Sequence, residues 1–82
     1  YMEKLSGIIT SEIKSISYSP ILFRFKLTDM QDHHYNMLIH THALNFFQQA
    51  KMGSAIEVFA VKNKHNQYVI RRFNVFDPHV LV

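Results

Sequence analysis

The sequence predicts a small, mostly β protein with one helix. Of its 82 residues, 48% are hydrophobic and 13% are aromatic, which suits one compact core and is too apolar for a disordered chain. Between Ile21 and Thr28, apolar and polar residues alternate as in a strand with one buried face. Between Ala43 and Met52, apolar residues instead recur every third position, which is typical of a short helix. The predicted order is strand, strand, strand, helix, strand, strand.

The first strand, residues 5–18, is predicted to be long and bent. It is rich in isoleucine, serine and threonine, which together favour a strand over a helix. Gly7, Ile9 and Ile13 lie an even number of residues apart, as positions on one face of a strand do. Ile16 and Tyr18 continue the apolar pattern, but Ile16 lies three residues after Ile13. One face of a regular strand cannot carry both sets, so a bulge or sharp bend is expected between them. Ser19-Pro20 then predicts a turn.

The second strand has the clearest alternation, and its two faces should differ in chemistry. One face is predicted to lie in the core; it carries Ile21, Phe23, Phe25 and Leu27. The other face should be an outer, basic surface; it carries Leu22, Arg24, Lys26 and Thr28. After a polar turn at residues 28–32, the third strand is predicted from Tyr35 to Thr41.

The helix is predicted over residues 43–52. Its apolar face should consist of Leu44, Phe47 and Ala50, which lie three residues apart. Thr41 suits the N-cap position, and Gly53 should end the helix in the left-handed conformation.

Two further strands are predicted after the helix. Strand four follows from the alternation of Ile56, Val58 and Ala60, which should face the core. A hydrophilic loop over residues 62–67 separates it from strand five, Tyr68 to Phe76. The alternation of strand five changes around Arg71-Arg72, and Asp77-Pro78 should end it.

This pattern resembles the OB-fold, a five-stranded, partly open Greek-key barrel. The shared features are a long bent first strand, a helix between strands three and four, and glycines at Gly7 and Gly53. The resemblance covers residues 5–76. The chain length leaves room for one domain, expected over residues 2–82, since Tyr1 precedes Met2, the expected start of the natural chain. The structural alternatives are a split α+β roll and an SH3-like barrel with an inserted helix.

Composition excludes several classes of function. The absence of cysteine removes disulfides, cysteine-ligated zinc, iron–sulfur clusters and thiol catalysis. No apolar run approaches the roughly 18 residues of a membrane helix, and no signal peptide is recognised, so a cytoplasmic protein without a membrane partner is expected. The serines lack a Gly-x-Ser-x-Gly context and the two glycines form no phosphate-binding loop, so neither an enzyme nor a cofactor is expected.

The histidines raise the question of a metal site. His40 and His42 would share one face of a strand, and His33 and His34 lie upstream across a turn. No cysteine completes a ligand set, and the first pair straddles the end of strand three. We therefore predict polar surface and loop residues, with no metal bound.

The basic residues favour nucleic acid as the ligand. Nine Lys and Arg against six Asp and Glu give a net charge of +3. In OB domains that bind single strands, the ligand crosses the outer face of strands two and three beside the four–five loop, where cations contact phosphates and rings stack on bases. On strand three, either Asn36, Leu38 and His40 or Tyr35 should face outward. The resemblance implies these binding residues: Arg24, Lys26, Tyr35, His40, Phe59, Lys62, Lys64, His65, Tyr68, Arg71 and Arg72.

The predicted function is non-enzymatic binding of single-stranded nucleic acid, DNA rather than RNA, by an accessory subunit in replication, repair or recombination. The protein partner would be a polymerase, primase or helicase, or a second copy of the chain. The chain also resembles small OB-fold accessory proteins of replication enzymes, including those of mobile genetic elements. The alternative is a protein-interaction subunit that never touches nucleic acid and uses apolar residues outside the barrel: Leu22, Leu38, Phe59, Val61 and the tail 79–82.

Overall fold

The computed structural model describes residues 1–76 and shows the predicted order of elements, with the first strand divided in two. The strands and the helix are β1 (Met2–Ile9), β2 (Lys14–Tyr18), β3 (Ile21–Thr28), β4 (His34–Ile39), α1 (Ala43–Gln49), β5 (Ala55–Lys62) and β6 (Gln67–Val75). Within residues 1–76, no helix is long and apolar enough to cross a membrane. The turn predicted at Asp77-Pro78 and the tail 79–82 lie outside the described residues.

The strands form one sheet in the order β1-β5-β6-β4-β3-β2, and β1 also pairs with β3. This additional pairing closes five strands (β1, β5, β6, β4 and β3) into a barrel, while β2 extends the sheet beyond β3. The pairing of β4 with β6 is parallel, whereas the other pairings are antiparallel. A five-stranded barrel with this connectivity is what the predicted fold requires.

The barrel closes where β1 passes β3 at Gly7. Ile8 pairs with Thr28 and Ile9 with Leu27. A Cβ atom at Gly7 would overlap the backbone carbonyl of Thr28, so the two backbones approach as closely as they do because this residue has no side chain.

The core contains the residues that the alternation of β3 and β5 predicts. Phe23, Phe25, Ile56 and Val58 are all buried, which confirms the predicted parity of both strands. The Phe46 ring of α1 stacks on Phe25, with ring centroids 5.2 Å apart. The same ring meets the Phe73 ring of β6 edge-on, at a centroid distance of 5.1 Å. The helix therefore packs on the barrel through the buried Phe46 ring, and through the half-exposed Phe47 ring, which stacks on Phe23 at 4.8 Å.

Both predicted changes of alternation are present as bulges. The pairing of β2 with β3 shifts between Ser15 and Ser17, and the pairing of β5 with β6 shifts so that Phe59 faces Arg72 while Ala60 faces Ile70. Ile16 and Tyr18 are nevertheless exposed. Their assignment to the core was wrong because β2 extends the sheet beyond the closed barrel, and neither side chain belongs to the core cluster of the described residues.

The helix is shorter than predicted, and a different face is buried. It ends at Gln49 with Ala50 as C-cap, and its N-cap is His42 in a left-handed conformation (φ 55°), not Thr41. Gly53 does have a positive φ of 96°, but in the turn before β5. Of the residues predicted for the apolar face, Ala50 is buried, but Leu44 and Phe47 are 56% and 48% exposed. The other core-facing side chains are Ala43 and Phe46.

The rotation of this face has a physical cause. A short helix buries the side chain that the barrel can accept, and here that side chain is Phe46, which reaches both Phe25 and Phe73. Spacings of three and four residues around Phe46 bring Ala43 and Ala50 to the same side. The strict three-residue spacing used for the prediction selected the neighbouring stripe of the helix.

The strand before the helix also differs from its prediction, because β4, the predicted third strand, ends at Ile39 and not at Thr41.

Candidate nucleic-acid interface

The outer face of β3 and its two neighbours carries cations and one amide in register. Lys14 of β2 pairs with Arg24 of β3, and Arg24 pairs in turn with Leu38 of β4. Two residues further along β3, Lys26 pairs with Asn36 of β4. Directly opposed residues in an antiparallel pair point to the same side of the sheet, so these side chains form two adjacent rows.

These rows line a groove of about 280 Å³, which we call the basic groove; its residues are Ser11, Glu12, Lys14, Arg24, Lys26 and Asn36. The segment between β1 and β2 forms one wall. The backbone N–H of Lys26 donates a hydrogen bond to Ser11 Oγ (2.8 Å), and the backbone N–H of Thr10 donates to the Lys26 carbonyl (2.9 Å). The break that divides the predicted first strand therefore shapes the groove.

The electrostatics of the basic groove are one-sided. Three cations line it against the single carboxylate of Glu12. Among residues 1–76, the carboxylates that form ion pairs are Glu57 with Lys4, Asp29 with His33, and Asp32 with His34. None of these pairs involves a groove cation, so Lys14, Arg24 and Lys26 have no anionic partner in the described structure. Exposed cations without a partner can neutralise phosphates at little cost in lost internal contacts.

Lys14 is a groove residue that the sequence interpretation missed. Residues 5–18 were treated as one strand with a core face, which gave no reason to group Lys14 with Arg24. Only the pairing of β2 with β3 brings the two residues side by side. The bend predicted before Ile16 was the one available signal that residues 14–18 belong to a separate strand.

The two tyrosines predicted at the interface lie on the inner side of the sheet. On β4, Asn36 is exposed, whereas Leu38, which pairs with Arg24, is buried at 9% exposure. Of the two arrangements considered for strand three, the one with Tyr35 outside was wrong. Tyr35 packs against the core, and its ring meets the Tyr68 ring edge-on at 5.5 Å. Tyr68 is only 8% exposed and has no free face on which a base could stack. The Lys62 ammonium lies 5.8 Å from the centre of the Tyr68 ring, at the same end of the barrel.

The loop between β3 and β4 is organised by one carboxylate. Asp29 Oδ1 accepts hydrogen bonds from the backbone N–H groups of Gln31 and His33 (both 2.9 Å), and Oδ2 accepts from the Tyr35 hydroxyl (3.0 Å). The backbone hydrogen bond from His33 is the main cause of a lowered pKa at Asp29; burial opposes it. Burial, and then its hydrogen bond to Asp29, raises the pKa of Tyr35.

The histidines are distributed over loops and strand ends. His33 Nδ1 lies 3.2 Å from Asp29 Oδ2, and His34 Nδ1 lies 2.9 Å from Thr28 Oγ1. His40 and His42 are exposed and follow β4. Within residues 1–76, no three His, Cys, Asp or Glu side chains come together in a way that could hold a metal ion.

Phe59, Arg71 and Arg72 form a separate group on β5 and β6. The Arg72 guanidinium lies 4.8 Å from the centre of the Phe59 ring. The bulge leaves Arg71 without a partner on β5, and both arginines are exposed, although regular alternation would turn one of them inward. The Phe59 ring is half-buried, with the guanidinium over it.

The loop between β5 and β6 presents Lys64 and His65 to solvent. Asn63 holds this loop in shape, because its Oδ1 accepts hydrogen bonds from the backbone N–H groups of His65 (2.9 Å) and Gln67 (3.0 Å). Gln67, the first residue of β6, pairs with Asn36 of β4, so the loop ends beside the Lys26 end of the basic groove.

Comparison with solved structures identifies the architecture. The mitochondrial single-stranded DNA binding protein Rim1 from S. cerevisiae superposes with a TM-score of 0.82 at 16% sequence identity, over 96% of this chain and 97% of that one. The dimeric N-terminal domain of PriB protein from Thermoanaerobacter tencongensis superposes with a TM-score of 0.68 at 12% identity, over 90% and 93% of the two chains. The chain has the OB fold.

The likeness of this OB domain to those structures concerns the path of the backbone. A second structure of Rim1 gives a TM-score of 0.73 at 15% identity, over 94% of this chain and 95% of that one. No protein-family model and no curated protein sequence matches the chain. The fold predicted from the strand pattern is confirmed, and the functional residues have to be argued from the chain itself.

Proposed function

We propose that this OB domain binds single-stranded nucleic acid, DNA rather than RNA, across the basic groove. The observation that carries the proposal is the convergence of Lys14, Arg24 and Lys26 from two neighbouring strands, without an anionic partner among residues 1–76. The fold is also shared with Rim1, which is described as a single-stranded DNA binding protein. Binding, and not catalysis, is the activity that this groove supports.

The spacing of the cations suits an extended phosphate backbone. Arg24 and Lys26 lie two residues apart on β3, about 6.6–6.8 Å along the strand, and Lys14 adds a third cation on the next strand, about 4.8 Å away. The Asn36 amide can donate to and accept from a sugar or a base edge. Lys64 and His65 extend the positive surface from the loop between β5 and β6.

A salt titration with matched variants tests the proposal. A labelled oligothymidylate of about 16 nucleotides, the upper end of OB site sizes, is titrated at several salt concentrations with the parent chain and with Arg24→Gln/Lys26→Gln. Loss of two phosphate contacts should weaken binding and reduce the slope of log K against log salt by about 1.4, since each contact to a single strand contributes about 0.7.

The control is Lys4→Gln/Lys51→Gln, which removes the same net charge outside the groove. It should bind like the parent. Equal affinities for the parent and the groove variant would show that the strand does not cross this face. A ranking of oligodeoxythymidylate below oligouridylate would contradict the preference for DNA.

We further propose that the domain acts as an accessory subunit in DNA replication, repair or recombination and associates with a second copy of itself. Residues 2–8 of β1 pair with β5, but only Ile8 and Ile9 pair with β3, so most of one edge of β1 is unpaired in the described structure. An unpaired edge is a template for another strand, and the PriB domain with this fold is described as dimeric. Sedimentation at several concentrations should give the mass of two chains; the mass of one chain throughout would contradict self-association.

The alternative function, a protein-interaction subunit, has one observation in its favour. Leu44, Phe47 and Met52 leave apolar surface on and just after α1, as is common at protein contacts. The same titration separates the two functions, because this alternative requires that the parent chain bind no single strand even at low salt.

A further inference from the structure

A second groove lies between α1 and β6, away from the basic groove. Its volume is about 430 Å³, and we call it the α1–β6 groove. Its polar lining comes from His42, Asn45, Gln49, Arg71, Arg72 and Asn74. Two arginines, three amides and one imidazole line it without a carboxylate among the described residues, which is the chemistry of a site for a phosphate-bearing ligand with hydrogen-bonding edges.

The β6 bulge explains why both arginines are available. Without the bulge, consecutive residues of a strand point to opposite faces, and one arginine would enter the barrel. The register shift instead leaves Arg71 unpaired and places Arg72 opposite Phe59. Neither arginine takes part in an ion pair within residues 1–76. The Arg72 guanidinium, which lines the groove, lies over the Phe59 ring of β5.

The side-chain amides of Asn45 and Gln49 on α1 form a hydrogen bond with each other and still have donors and acceptors available for a ligand. Gln49 Nε2 donates to Asn45 Oδ1 (2.8 Å). This bond fixes the two side chains one helical turn apart and leaves the Asn45 amide N–H groups and the Gln49 amide oxygen for a ligand. A donor and an acceptor held side by side can pair with a base edge, while the arginines contact the phosphates on either side.

β4 lies between β3, the central strand of the basic groove, and β6, which forms one wall of the α1–β6 groove. Arg24 pairs with Leu38, and Leu38 pairs in parallel with Val69. β6 is thus two strand spacings from Arg24, about 10 Å at the usual 4.8 Å per strand. β4 and β6 run in parallel, with Leu38 opposite Val69. The exposed His40, two residues after Leu38, therefore lies toward Arg71, two residues after Val69.

We propose that the α1–β6 groove binds a second segment of the same single strand that occupies the basic groove. Arg71 and Arg72 neutralise its phosphates, and the amides of Asn45, Gln49 and Asn74 contact its sugars and base edges. The inference rests on the proposed function, since it extends the path of the strand. It also gives the β6 bulge a role, because the bulge turns both arginines outward.

The length of the oligonucleotide separates the two grooves experimentally. An oligothymidylate of about 5 nucleotides is near the lower limit of an OB site, and one of about 16 is at its upper limit. Arg71→Gln/Arg72→Gln should bind the short strand like the parent chain. It should bind the long strand about three- to tenfold more weakly, with a salt slope lower by about 1.4. Arg71→Lys/Arg72→Lys retains the charge and should recover most of the salt slope, and Lys4→Gln/Lys51→Gln controls for net charge.

Each outcome decides a different claim. If the parent chain binds neither strand, the proposed function itself fails. A second outcome is that the parent binds both oligonucleotide lengths and Arg71→Gln/Arg72→Gln binds each of them as tightly as the parent does. The α1–β6 groove then does not hold the strand, and its ligand is another anion such as an acidic protein segment. If Arg71→Gln/Arg72→Gln weakens the binding of both lengths equally, one site extends over both grooves. That result would overturn the proposal that a second segment of the strand binds separately. Thermal melting of each variant verifies that these exposed substitutions leave the fold intact.

Discussion

The basic groove and the loop around Asp29 both lie on β3 and β4, yet their polar groups are used in opposite ways. Around Asp29, the carboxylate accepts hydrogen bonds from two backbone N–H groups and from Tyr35. In the basic groove, Lys14, Arg24 and Lys26 form no ion pair with residues 1–76. Polar groups that satisfy each other stabilise a loop, whereas cations left without partners are available to a ligand. The first arrangement stabilises a loop, and the second is the one that the proposed function requires.

The largest effect should separate two neighbouring residues on opposite faces of β3. Phe25→Ala removes a buried ring that stacks on Phe46, and it should lower the free energy of unfolding by about 3–5 kcal/mol. Arg24→Ala, one residue earlier and exposed, should change it by less than about 0.5 kcal/mol. Urea denaturation of both variants measures the contrast, and equal losses of stability would contradict the assignment of the two faces.

The next effect tests whether Tyr68 belongs to the core or to the interface. Tyr68→Leu removes the edge-on contact with Tyr35 and should lower the free energy of unfolding by about 0.5–1.5 kcal/mol, the usual contribution of an aromatic pair. The affinity of the folded variant for single strands should equal that of the parent chain. A Tyr68→Leu variant with the stability of the parent and a lower affinity for single strands would show that Tyr68 belongs to the interface.

A smaller effect is expected at Lys14, which only the structure assigns to the basic groove. Lys14→Gln should weaken binding of oligothymidylate and lower the salt slope by about 0.7, the value for one phosphate contact. Stability should not change, because Lys14 is exposed. Lys51→Gln, measured in the same titration, is the matched single-charge control; an identical slope for both variants would remove Lys14 from the binding surface.

The smallest effect concerns the dependence of stability on pH. The lowered pKa of Asp29 means that the folded state favours its carboxylate. The stability from this preference is present above the ordinary value of 3.8 and is lost as the pH falls through the lowered pKa. Asp29→Asn cannot titrate, so its unfolding midpoint should fall less on acidification than that of the parent. An Asp29→Asn variant whose midpoint falls as much as that of the parent would contradict the role of this carboxylate.

Part of the candidate site could be predicted because strand alternation is local. Phe23 and Phe25 had to face one way and Arg24 and Lys26 the other, since successive side chains of a strand point to opposite faces. The bulge at Arg71-Arg72 was visible for the same reason, as a break in the alternation. Tyr35 and Tyr68 were misplaced because an aromatic residue suits both a barrel core and a stacking surface, and composition does not distinguish the two.

Periodicity along the chain was enough to predict the parity of β3 and β5, a break of alternation near each bulge, and the order of the elements apart from the division of the first strand. These properties follow from periodicity, which neighbouring residues set among themselves. Tertiary structure decided the pairing of Lys14 with Arg24, the face of α1 that is buried and the meeting of α1 with the β6 bulge. Each of these depends on segments distant in the chain: Phe46 is buried because Phe25 of β3 and Phe73 of β6 contact its ring, whereas Phe47 stacks on Phe23 and stays half exposed.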